Sequence, residues 1–162
     1  MTKTRRDALK LMGAAAAATT VLPTALRAEG PVTHEVQMLN KHPDDKKQKN
    51  VFLPAVLKIN PGDTVKFVAV DKGHNSVSYK DMIPEGAEGW KSKLNKDFEV
   101  TLDVEGAYGY FCQPHKSLGM VGLILVGDVS GNYEAIKEVK QRGKAKKVMK
   151  KLFEEADAML AE

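Results

Sequence analysis

Cys112 is the only cysteine in a chain of 162 residues. It stands in Phe111-Cys112-Gln113-Pro114-His115-Lys116-Ser117-Leu118-Gly119-Met120, with His115 three positions on and Met120 five beyond that. A thiol, an imidazole and a thioether in ten residues make a soft donor set. One cysteine cannot close an internal disulfide, so it is a buried thiol, a link to another chain, or a ligand. Thiolate and thioether suit copper, and imidazole suits both of its common oxidation states. Zinc also takes Cys and His, but its structural sites use four strong donors, to which Met adds little. A rigid site between the shapes that Cu(I) and Cu(II) prefer minimises rearrangement when an electron moves.

The elements around these residues read as strands. Tyr108 to Cys112 is a short strand, and Met120 to Val126 is a nearly continuous apolar run, as expected of a central strand. Cys112, His115 and Met120 therefore bracket one loop between two strands. Thr64 to Val70 puts Val65, Phe67 and Ala69 on one face. Val32 to Leu39, Ala55 to Ile59 and Phe98 to Leu102 are also β-compatible, and Asn60-Pro61-Gly62-Asp63 is a turn. Several strands at this spacing predict an all-β sandwich. Val77 to Asn95 is less regular, with a long loop over residues 79–89 and a single helical turn over Trp90 to Leu94. A fourth donor must come from another loop. His74 follows the strand 64–70 in Asp71-Lys72-Gly73-His74-Asn75, where a site can be built. His34 falls in the first strand and His42 in a lysine-rich loop, so both read as surface histidines.

The ends differ from the middle. Lys3, Arg5 and Arg6 precede an alanine-rich apolar run from Leu11 to Leu22, then small residues. This is the pattern of an export signal, spanning 1–28 and resembling the twin-arginine type. The run is too short for a comfortable membrane span. Without residues 1–28 the formal charge of +4 falls to zero, since five bases and one acid leave. The basic balance therefore says nothing about nucleic acid. The sandwich is expected over 29–127 and a helical extension over 128–162. Asn132 to Gln141 reads as a short helix, and Lys144 to Leu160 as a longer one. In the latter Val148, Met149, Leu152, Phe153, Ala156, Met159 and Leu160 form one stripe that packs on the sandwich. Its lysines come first and its acids last, opposite to what a helix dipole prefers.

Several stretches carry a resemblance to a known family. They are Met38-Leu39-Asn40-Lys41, Asn60 to Val65, Asp71 to Asn75, Lys80 to Glu88, Gly106-Ala107-Tyr108, Cys112-x-Pro114-His115 and Gly119-Met120. Together they resemble the pseudoazurin group of the cupredoxin family, over nearly all of the chain beyond residue 28. The resemblance implies an eight-stranded Greek-key β-sandwich with two C-terminal α-helices and one type 1 copper. It implies a periplasmic carrier of single electrons, not an enzyme. Its implied partners are copper nitrite reductase or nitrous oxide reductase, with an upstream cytochrome donor, and a monomer suits such a diffusible carrier. His74, Cys112 and His115 become equatorial ligands and Met120 the axial one. Asn75 pins two ligand loops and points its amide at the thiolate, while Pro114 has no N–H to offer there. Met38 is either a neighbour of His115 or a plain core methionine.

Electrons are expected to pass through the edge of His115. Met82, Pro84, Pro114 and Leu118 are expected to form an apolar collar around it. Lys41, Lys72, Lys91 and Lys116 would ring the collar and steer an acidic partner. Two departures bear on docking. Gln113 stands where the family usually has threonine, and Phe111 where familiar members have lysine, which removes part of a basic patch. The competing function is copper storage or delivery, which favours exposed, Met-rich or multi-Cys sites. Four histidines in all cannot build the second metal centre of a copper enzyme.

Overall fold

The computed structural model describes residues 30–162; the export signal read at 1–28 lies outside the described residues. Eight strands follow one another: β1 (Thr33–Lys41), β2 (Lys49–Leu53), β3 (Val56–Ile59), β4 (Thr64–Val68), β5 (Val77–Ser78), β6 (Phe98–Thr101), β7 (Gly106–Phe111) and β8 (Val121–Val126). They form two four-stranded sheets, ordered β2-β1-β4-β6 and β3-β8-β7-β5. Pairs β1/β4 and β3/β8 are parallel; the others are antiparallel. Two helices, α1 (Tyr133–Lys137) and α2 (Gly143–Leu160), complete the chain. This is the sandwich with two C-terminal helices expected above.

Successive side chains of a strand point to opposite faces. In β8 and at its start, Met120, Ile124 and Val126 enter the core between the sheets, while Val121, Leu123 and Leu125 face the other way. In β7 and just beyond, Tyr108, Tyr110 and Cys112 point into the inner core, and Ala107 and Phe111 point out. Both faces are buried because α2 covers the outer one with Ala145, Met149, Leu152, Phe153 and Ala156. That explains the unbroken apolar run of β8. The pleat also sends Cys112 and Met120 into the same core. The charge order of α2 leaves its first turn without acids and its last without bases, so packing holds it.

Two short strands lie outside those read from the sequence, and two local expectations are corrected. Lys49–Leu53 and Val77–Ser78 are strands. Trp90 to Leu94 is not helical: Trp90 is buried in the inner core, and Lys91 bridges antiparallel to Val77. Serines lock this region. Trp90 Nε1 donates to Ser76 Oγ at 2.9 Å, the Trp90 backbone N–H to Ser78 Oγ at 2.8 Å, and the Ser76 N–H to Ser92 Oγ at 2.8 Å. The shorter helix spans fewer residues than read, Tyr133–Lys137.

Candidate metal centre

His74 follows β4 in a loop held from two sides. The Asn95 N–H donates to the His74 carbonyl at 2.9 Å, and His74 Nε2 lies 2.9 Å from Asn40 Oδ1. An amide oxygen can only accept, so Nε2 carries the proton and the lone pair sits on Nδ1. Cys112 and His115 belong to the loop between β7 and β8. Cys112 N–H donates to the Met120 carbonyl, and Met120 N–H to the His115 carbonyl, at 3.0 and 3.1 Å. A single 3-10 turn, Lys116–Leu118, follows His115, and Gly119 at φ +90° reverses the chain into β8.

These constraints bring three donors together. His74 Nδ1 and His115 Nδ1 are 3.1 Å apart, and Cys112 Sγ lies 3.7 and 3.6 Å from them. The circle through the three atoms has a radius of about 2.0 Å, the bond length of a first-row metal to imidazole nitrogen, and slightly less than its bond to sulfur. Two imidazole lone pairs so close repel unless a cation lies between them. Burial pushes the Cys112 thiol up, opposed by backbone N–H groups of Asn75 and His115. Burial, then the neighbouring His115, pulls His74 down, against Asp71. Burial thus favours a neutral His74 imidazole, and a thiolate at Cys112 would be stabilised by a cation bound between the donors. The donor set fits a copper ion. Met120 is wholly buried in the cluster that includes Cys112.

Around the donors, Asn75 Oδ1 accepts from the Gln113 N–H at 2.8 Å, and Asn75 Nδ2 donates to the Ser92 carbonyl at 3.2 Å. One side chain thereby ties the two ligand loops. Met38 is wholly buried in the inner core with Cys112 and Met120. Pro114 is exposed beside partly exposed His115. Nothing in the sequence marks Asn40 for a role, although it holds the tautomer of His74. Its own N–H donates to Asp71 Oδ2 at 2.7 Å. The separation of 34 residues from His74 hides this pair. His34 and His42 lie elsewhere. His34 Nε2 is 2.8 Å from Asp63 Oδ2, and His42 Nδ1 accepts the N–H groups of Asp44 and Asp45.

The expected collar is corrected in part. Met82 and Pro84 are buried and cannot present a docking surface. A Cβ on Gly109 would fall 2.7 Å from Met82 Cε, and one on Gly106 would fall 2.8 Å from Pro84 Cβ. The two side chains fill the space those glycines leave on β7, and Pro84 lies by the end of β7 remote from Cys112. Leu118, 48% exposed, and Pro114 remain at the surface. Lys41, Lys72, Lys91 and Lys116 are exposed. Lys41 follows Asn40, and Lys72 precedes Gly73, where a Cβ would lie in ordinary contact with the His115 ring, 3.7 Å from Cε1. Lys116 folds back, with Nζ 4.4 Å from the centroids of both Tyr79 and Phe111. A cation therefore lies over residue 111 although that residue is Phe.

Residues 39–127 match the family of copper binding proteins described as plastocyanin/azurin. The chain is 45% identical over 136 residues to a pseudoazurin of Paracoccus pantotrophus, covering 83% of this chain and 90% of that one. It also resembles the crystal structure of pseudoazurin from Methylobacterium extorquens AM1, with a TM-score of 0.72 and 40% identity over 76% of this chain and 98% of that one. Native pseudoazurin from Hyphomicrobium denitrificans gives a TM-score of 0.71 and 38% identity, over 76% and 97%. With its soft donors converged at the end of this sandwich, the chain belongs to the plastocyanin/azurin family of copper-binding proteins, in its pseudoazurin group, and is a copper electron carrier rather than an enzyme.

Proposed function

We propose that His74, Cys112, His115 and Met120 hold one copper ion and that electrons leave through the edge of His115. The observation that carries this reading is the converged triangle of two Nδ1 atoms and one Sγ. Copper supplies reversible one-electron chemistry when bound. The chain supplies a fixed frame: Asn40 sets the His74 tautomer, Asn75 ties the loops, and the Asn75 amide disperses charge on Cys112 sulfur. His74, Cys112 and Met120 are wholly buried, whereas His115 is partly exposed. His115 is thus the outlet among the four. Burial of the other three opposes the copper-delivery alternative, which needs donors that exchange metal readily.

The finer setting rests on the family and the leader. The signal read at 1–28 supports a periplasmic site. The resemblance to pseudoazurins implies a denitrification reductase, for nitrite or nitrous oxide, as acceptor and a cytochrome as donor. Lys41, Lys72, Lys91 and Lys116 steer that acceptor, and a monomer suits rapid encounter and release. Visible absorption of the Cu(II)-loaded protein tests the centre. A strong thiolate-to-copper band, bleached by ascorbate and restored by an oxidant, is expected. A colourless protein, or one whose thiol is consumed by copper, overturns it.

A further inference from the structure

Beside the metal centre, on the flank of Cys112, lies a groove of about 620 Å³ lined by Asn75, Lys91, Ser92, Lys93, Leu94, Gln113 and Pro114. Its floor is continuous with the centre. Gln113 follows Cys112 directly, its N–H donates to Asn75 Oδ1, and the Asn75 amide faces the Cys112 sulfur. Its walls offer three kinds of contact, of which only the charge of Lys91 is shared with the acceptor-steering set. Lys91 and Lys93 are exposed and have no ion-pair partner among the described residues, and no carboxylate lines the groove. Leu94 is 48% exposed. The third is backbone. Ser78 N–H donates to the Trp90 carbonyl and Ser92 N–H to the Ser76 carbonyl. That pattern turns the Lys91 N–H and C=O away from β5, on the open edge of the sheet, and neither is hydrogen-bonded within the described residues.

We propose that this groove is a second docking port, taking a short extended acidic segment of a partner protein. The segment adds to the open edge at Lys91. Its carboxylates meet Lys91 and Lys93, and an apolar residue rests on Leu94. The Gln113 side-chain amide is exposed and unpaired among the described residues, so it is available to the segment's backbone. The port differs from the face at Leu118 because it abuts the thiolate side of the centre. It rests on the carrier reading of that centre, which the visible band scores separately.

The test is an amide NMR titration of the Cu(I)-loaded protein. The probe is a five-residue capped peptide of alternating glutamate and valine, with a lysine–valine peptide as control. Shifts confined to Lys91 to Leu94, Asn75 and Gln113, saturable and weakened by salt, are expected for the acidic peptide alone. A K93E/L94N variant should bind about tenfold more weakly while keeping its band. The salt series on the unaltered protein stands without that variant. Shifts centred on Lys116 to Leu118, equal binding of the lysine peptide, or no saturable shift overturn the port. Shifts at the same amides that grow with protein concentration alone assign the edge to a second copy and also overturn it.

Discussion

The protein has two cores that share a sheet and differ in kind. The inner one, between the sheets, mixes Phe52, Phe67, Trp90 and Tyr110 with the site residues Cys112 and Met120. The outer one, between β3-β8-β7-β5 and the helices, holds Met82, Tyr133, Met149, Leu152 and Phe153 and contains no donor of the triangle. Strands β7 and β8 serve both because their side chains alternate. The difference teaches that stability and metal chemistry are partly separable. Changes to the outer face load on folding, whereas inner changes load on folding and on the centre together.

The separation of the two cores is open to direct test. Cys112→Ser removes the inner core's thiolate and should abolish the visible band; a retained band would place the chromophore elsewhere. Leu152→Ala, in the outer core, should cost about 2–5 kcal/mol in urea unfolding and leave the band of the folded protein unmoved. A shifted band would show that the cores are coupled. Asn40→Ala frees the His74 ring and should weaken copper binding about 10–100-fold, measured by competition with a chelator. Little change would mean that packing alone orients the ring.

Smaller effects are expected from buried hydroxyls and one buried carboxylate. Tyr79 and Tyr110 each bury a hydroxyl with no hydrogen-bond partner, one in each core. Tyr79→Phe and Tyr110→Phe should each raise stability by about 1 kcal/mol, read as thermal midpoints. Only Tyr110→Phe should also touch the band. Asp63, buried at the start of β4, accepts from the Val32 N–H and pairs with His34, which hold its carboxyl below the usual range, helped by Asn60. Its folded value is depressed, so its contribution is present above the unfolded carboxylate value. It is lost as pH falls through the folded one. Asp63→Asn should therefore flatten the acid limb of stability, with least effect at the centre.

What was legible follows from range. β4, β7 and β8 carry strong alternation or unbroken apolar runs, and the donors of loop 112–120 stand close together in sequence. His74 was legible as a loop residue after a strand. β2 and β5 were not, because Val77–Ser78 is two residues long and exists through serine and Trp90 contacts from elsewhere. Met82 and Pro84 looked like surface because their burial depends on gaps at Gly109 and Gly106. Those fits are tertiary. Asn40 stands within a motif of the sequence, yet its contact with His74 emerges only when β1 and β4 lie side by side.

The parallel pairings of β1 with β4 and β3 with β8 also set a timetable. Each closes a long stretch of chain before contacts repay the lost entropy, which places such topologies among slow folders, on the order of milliseconds to seconds. His74 and Cys112 are 38 residues apart and meet only once the sandwich has closed. An unfolded chain offers a metal the single stretch from Cys112 to Met120. The complete donor set therefore exists only in the folded frame.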